Sequence, residues 1–269
     1  MRPVPVVEKF LADRGTHLAA MIAYFALLAF VPLLFLALSL IGLAGEPSES
    51  SYLVEQLRRA FPEVSLERIL EVVREVQKSS GTLGIIGGIA LIWASLGFLS
   101  VLESALNIIY GRPNRAFFHQ KAYVLLLTGA GLVVLFAALV LGSVGVGLAR
   151  EADVVGGALA YVYGILVSTA LVLGFAWSIY TLLTNEPLRW RETLPGAIFA
   201  ALVLQASFQL LPVFVLATSG FAALQAFGGL ALLLFWIYLM ANVLVFGAEI
   251  NWWLAHGRAR PDERPAGLA

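Results

Sequence analysis

The sequence predicts an all-α polytopic membrane bundle of six transmembrane helices, with an external amphipathic helical segment between helices 1 and 2. Three observations carry that reading. Hydrophobic residues make up 60% of the 269 residues and charged residues 13%, with a mean hydropathy of +0.89, far too little polar surface for an ordinary soluble domain. Six apolar runs reach the roughly 20 residues that a helix needs to cross the hydrocarbon core. Basic residues divide unevenly between alternate connecting segments, eleven on one side and six on the other, so the positive-inside rule puts both termini in the cytoplasm.

The elements follow in order. Residues 1–17 hold Arg2, Lys9 and Arg14 with Val6, Val7, Phe10 and Leu11 at helical spacing, which predicts a short cytoplasmic interfacial helix. Residues 18–43 carry no charge and exceed the length of a signal-peptide core, so they read as a retained first span, with Pro32 a kink position and Ala19 and Ala23 a close-packing pair. Segment 46–80 mixes five basic and seven acidic residues yet keeps Leu66, Ile69, Leu70, Val73 and Val76 on one helical face. It is read as two short amphipathic helices outside the membrane, either a solvated cap resting on the bundle or a lid over an external opening.

The second span, residues 83–109, organises the rest. Glu103 and Asn107 lie one turn apart on one of its faces, and Gly84 and Gly88 form a small-xxx-small pair suited to close helix approach. The third span covers 122–148, with Gly129 and Gly131 among its packing positions, and the fourth covers 154–183. The fifth, 194–216, opens with Pro195 and Gly196 in its first turn and carries Gln205 and Gln209 on one face. The sixth covers 222–248 and reaches Glu249 and Asn251 at its edge. The membrane domain thus spans 18–254, and residues 255–269 form a basic cytoplasmic tail.

An ionisable group inside a span is expensive unless it is paired, hydrated or neutralised, which makes Glu103 the first functional candidate. Two readings stand side by side: a working carboxylate on a substrate or proton path, or an ion pair with Arg112, Arg115 or Arg189 that fixes helix packing. Asn107, Gln205, Gln209 and Glu249 complete the candidate path, although Glu249 at the boundary reads more simply as a snorkelling or surface residue. Arg112, Arg115, Arg189, Trp190 and Arg191 form a candidate contact for an anionic lipid head group, a pattern that topology also asks for.

Other chemistries find no support. There are no cysteines, and His17, His119 and His256 stand singly, so neither a metal centre nor a metal-dependent nuclease is expected. The glycine-rich pieces lack the Gly-Lys-Ser/Thr ending of a phosphate cradle, and the net charge is zero. No cofactor, no nucleic-acid partner and no enzymatic activity are predicted; membrane lipids are the expected partners.

Three stretches together resemble the YihY/BrkB family of bacterial inner-membrane proteins, formerly named ribonuclease BN: residues 19–34 (AAMIAYFALLAFVPLL), residues 81–111 with the core Glu103-Ser-Ala-Leu-Asn107, and residues 186–200 (EPLRWRETLPGAIFA). The resemblance covers nearly the whole chain in order. It implies an all-helical inner-membrane protein linked to envelope integrity and, in some relatives, to lipid or solute export, and it implies no catalytic site. Six spans with polar groups gathered towards one side suit a transporter or lipid translocator for an amphipathic anion. A non-transporting scaffold for envelope integrity is the second reading, and a membrane enzyme the third.

Overall fold

The computed structural model describes residues 6–44, 67, 71, 80–116, 118–131, 133, 154–219 and 222–256. Among them every regular element is helical. Helix α1 (Val6–Ala12) leads through Asp13 and Arg14 into α2 (Gly15–Ala44), which carries Pro32 in its interior. Helix α3 (Ser80–Tyr110) follows, then α4 (residues 118–131). Helix α5 (Val154–Ser178) widens into a π-helical turn, Ile179–Leu183, before α6 (Trp190–Ser219) and α7 (Ala222–His256). Among the described residues, five stretches are long and apolar enough to cross a membrane: Gly15–Leu33, Ile85–Tyr110, Val162–Leu183, Trp190–Leu210 and Ala231–His256. Helix α4 covers the first part of the predicted third span, whose remainder, apart from Val133, lies outside the described residues. Of the predicted external segment 46–80, Glu67, Glu71 and Ser80 are described; all three are helical, Ser80 as the first residue of α3, and Glu67 and Glu71 are exposed.

In space α3 packs on α2, α2 on α7, α7 on α6 and α6 on α5, and the π-helical turn closes the arc by meeting α3 at one end. In lipid the apolar surface of a helix gives no reason to associate, so packing rests on close approach through small residues. The buried alanines show where that happens: Ala19 and Ala23 on α2, Ala105 on α3, Ala197, Ala200 and Ala201 on α6, Ala241 and Ala248 on α7. Many large apolar side chains face outwards, with Ile85, Ile89 and Trp93 of α3 and Leu166 of α5 all exposed, while Leu102, Leu106 and Ile109 of α3 and Ile179 and Leu183 of the π-helical turn fill the core.

A close backbone approach joins α6 to α7. A Cβ added at Gly196 would lie 2.0 Å from the Gly247 carbonyl oxygen, and one at Gly247 would lie 2.4 Å from Tyr180 Oη. By contrast, a Cβ at Gly88, Gly129 or Gly131 would meet open space, so these glycines are not the packing positions that their spacing predicts. Local spacing marks where a helix is slender; only a facing helix makes it a contact.

Helix α7 runs to His256, two turns beyond the predicted end of the sixth span. Glu249 and Asn251 therefore sit inside the helix, and both are buried. Helix α3 ends in a Schellman motif: Gly111 adopts φ 63°, its N–H donates to the Ile108 carbonyl (3.1 Å), and the Arg112 N–H donates to the Asn107 carbonyl (2.8 Å). A positive φ costs glycine little, which lets the chain reverse sharply into residues 112–116.

Candidate polar clusters at the terminal end of the bundle

At the end of the bundle where α1 and the C-terminus of α7 meet, the polar residues form two clusters on either side of the α3 terminus. The first is built on Glu103, which is fully buried. Its Oε1 accepts from the Arg115 backbone N–H (3.2 Å) and lies 3.3 Å from Arg115 Nη1. Its Oε2 finds no hydrogen-bond partner among the described residues.

Arg115 is here because the Schellman turn folds residues 112–116 back over α3. Its guanidinium also donates to the carbonyls of Leu183 (2.8 Å), Leu182 (3.0 Å) and Thr184 (3.4 Å) and lies over the Tyr123 ring at 4.6 Å. Those carbonyls close the π-helical turn, where the helix leaves acceptors unpaired and its dipole favours a cation. One side chain thus neutralises Glu103 and caps α5.

Asn107, also fully buried, extends the lattice. Its Oδ1 accepts from the Asn185 backbone N–H (2.8 Å), and its Nδ2 donates to Asn114 Oδ1 (3.0 Å). Asn114 Nδ2 donates to Ser104 Oγ (2.7 Å), and Asn185 Nδ2 donates to the Pro113 carbonyl (2.9 Å).

The second cluster gathers round Glu249. The carboxylate is fully buried and pairs with Lys9 of α1, Nζ to Oε2 3.3 Å. Lys9 Nζ also donates to the Ile109 carbonyl at the end of α3 (3.0 Å) and to Asp13, and lies 4.2 Å above the Trp252 ring. Trp252 stacks on His256, which meets Tyr110 edge to face. The expectation of a snorkelling or surface Glu249 is therefore corrected. A cation delivered by the N-terminal helix allows the carboxylate to stay inside.

The remaining candidates disperse. Gln205 donates to Ser168 Oγ (3.0 Å) across the α5–α6 contact, while Gln209 is exposed. Glu103, Asn107, Gln205, Gln209 and Glu249 thus do not converge on a single line. Among the basic residues, Arg112 pairs with Glu186, whose hydrogen bond and charge hold the guanidinium above its ordinary pKa. Arg189, Trp190 and Arg191 are exposed at the start of α6, with the Arg191 guanidinium 4.8 Å from the Trp190 ring. The Arg189 N–H donates to Glu192 Oε2 (2.8 Å), half of a capping box at that terminus.

Several contributors escape sequence reasoning. Asn251 Oδ1 accepts from the Gly196 N–H (2.7 Å) at the α6–α7 crossing, and Tyr180 Oη donates to the Leu244 carbonyl (2.7 Å). Lys9 near the end of α1, with Asp13 four residues on just beyond it, is the visible signal for the second cluster, since a carboxylate in a span asks for a cation. Among the described residues no group of three or more His, Cys, Asp or Glu side chains is placed to hold a metal ion.

Long apolar helices, alanine-lined contacts and buried ion pairs define an integral membrane protein of the helical-bundle class. The chain belongs to the family described as virulence factor BrkB, which matches residues 6–268. It is 26% identical to the ribonuclease-like protein YfkH of Bacillus subtilis over 96% of each chain. It is 31% identical to a UPF0761 membrane protein of Rhodospirillum rubrum and 27% identical to one of Aromatoleum aromaticum, over 94% and 90% of this chain. The chain spans 60% and 61% of the length of those two relatives. No solved structure is significantly similar to it.

Proposed function

We propose that this protein is a bacterial inner-membrane transporter or lipid translocator for an amphipathic anion, and not an enzyme. Six spans, cytoplasmic termini and an external segment 46–80 complete the proposal; the asymmetry of basic residues supports that orientation. The observation that carries it is the pair of fully buried carboxylates, Glu103 and Glu249, near one end of the bundle. Glu103 Oε2 and Glu249 Oε1 have no hydrogen-bond partner among the described residues. A membrane protein keeps costly acceptors open where a substrate donor or a proton uses them. The exposed Arg189, Trp190 and Arg191 supply charge and an amphipathic ring for an anionic head group at the same end.

Reconstitution into liposomes with a fluorescent anionic phospholipid in one leaflet tests this reading. Transbilayer movement faster than in protein-free vesicles is expected. Movement no faster, with or without an ion gradient, rejects it in favour of a second reading, a scaffold for envelope integrity. The Arg115 clamp favours that alternative, because it ties Glu103 to the end of α5 as a structural joint.

A further inference from the structure

The surroundings of the Lys9 ammonium are those of a receptor site. Three of its four partners belong to the bundle and not to the helix that brings it: the Glu249 carboxylate (3.3 Å) and the Trp252 ring (4.2 Å) on α7, and the Ile109 carbonyl (3.0 Å) on α3. A carboxylate, a carbonyl and an aromatic face converging on one point are what a desolvated ammonium selects. An ion pair that merely neutralised Glu249 would need no aromatic face.

The site also has more acceptor capacity than Lys9 uses. Glu249 Oε1 and Tyr110 Oη are buried without a hydrogen-bond partner among the described residues. Among the described residues, Asp13, paired with Lys9, and His256, stacked on Trp252, are further charged and titratable groups beside it. It lies just below the surface, as the Lys9 and Asp13 side chains retain 11% and 24% exposure.

The element that fills the site is slight. Helix α1 has seven residues, and Val7 and Leu11 face outwards from it. It joins α2 through Arg14, which adopts φ 55°, a left-handed conformation rare outside glycine. Outside its seat, its apolar side chains suit the membrane interface.

We propose that Glu249, Trp252 and the Ile109 carbonyl form a binding site for an alkylammonium group, carried by an amine-bearing lipid head or a free amine, and that Lys9 occupies it as a tethered competitor. Ligand and α1 exclude one another, so binding releases the N-terminal helix. The inference is independent of transport: vesicles without lipid movement would leave it standing.

The chain has no cysteine, so spin labels at Glu8→Cys and His119→Cys, both exposed positions, are unique. Their distance is measured in phosphatidylglycerol nanodiscs alone, with phosphatidylethanolamine added, or with ethylammonium chloride against equimolar sodium chloride. A second, longer distance is expected with an amine and not with sodium; the arm that produces it tells lipid from free amine. Lys9→Met removes the competitor, so ethylammonium should raise its melting temperature at a concentration at least tenfold lower than in the wild type. Adding Glu249→Gln should abolish that response. An unchanged distance in both amine arms overturns the proposal, as does an equal response with Glu249→Gln. Should Lys9→Met fail to fold, the label distances decide.

Discussion

Gly196→Ala tests the packing that holds the two clusters in place. The new methyl group would sit 2.0 Å from the Gly247 carbonyl oxygen and 2.6 Å from Asn251 Cγ and Nδ2. One of those neighbours is backbone, so no rotamer change relieves the contact and α6 must move away from α7. Overpacking of this kind costs about 1–3 kcal/mol. Separation also breaks the Gly196 N–H to Asn251 Oδ1 bond (2.7 Å) and leaves a buried amide without a partner, about 1–3 kcal/mol more. Replacing a helical glycine by alanine returns about 1 kcal/mol. The net loss is about 1–5 kcal/mol, which at about 2–4 °C per kcal/mol lowers the melting temperature by several degrees or more. Tryptophan fluorescence of the detergent-solubilised protein reads it. Gly174→Ala is the control, because its methyl meets open space, and it should melt as the wild type or slightly higher. Equal melting temperatures for the two variants would refute the close crossing.

Arg115→Ala should cost about 3–5 kcal/mol, since it leaves Glu103 buried and uncompensated, and Glu103→Gln with Arg115→Met should recover part of the lost melting temperature. Arg112→Ala removes an exposed ion pair to Glu186 and should leave the melting temperature unchanged. For orientation, an impermeant thiol reagent on intact cells should label Glu67→Cys and spare Arg189→Cys; the opposite pattern would invert the topology.

The helices were legible because a membrane span is written in composition as well as periodicity. The predicted 83–109 and 154–183 lie within Ser80–Tyr110 and match Val154–Ser178 with its π-helical turn. The sixth helix runs further than its apolar stretch suggests, because Glu249 and Asn251 look like edge residues in the sequence. Their burial depends on Lys9 and on the Gly196 N–H, partners far away in sequence. Glu103 and Asn107 were legible as one polar face, four apart on one helix. Which cation meets Glu103 was not, because that depends on how the Gly111 turn aims Arg115. Gln205 and Gln209 share a face in the same way, yet Ser168 claims the first while the second is exposed. Periodicity assigns residues to a face; only tertiary packing assigns the face to a neighbour.

Glu103→Gln in liposomes tests most directly whether the buried carboxylate works or merely braces. The substitution keeps the shape of the side chain and removes its charge. The account predicts that the variant yields as much folded protein as the wild type and moves the fluorescent anionic lipid no faster than protein-free vesicles. Wild-type rates of lipid movement in the Glu103→Gln protein would contradict it and leave Glu103 as the partner that seats Arg115.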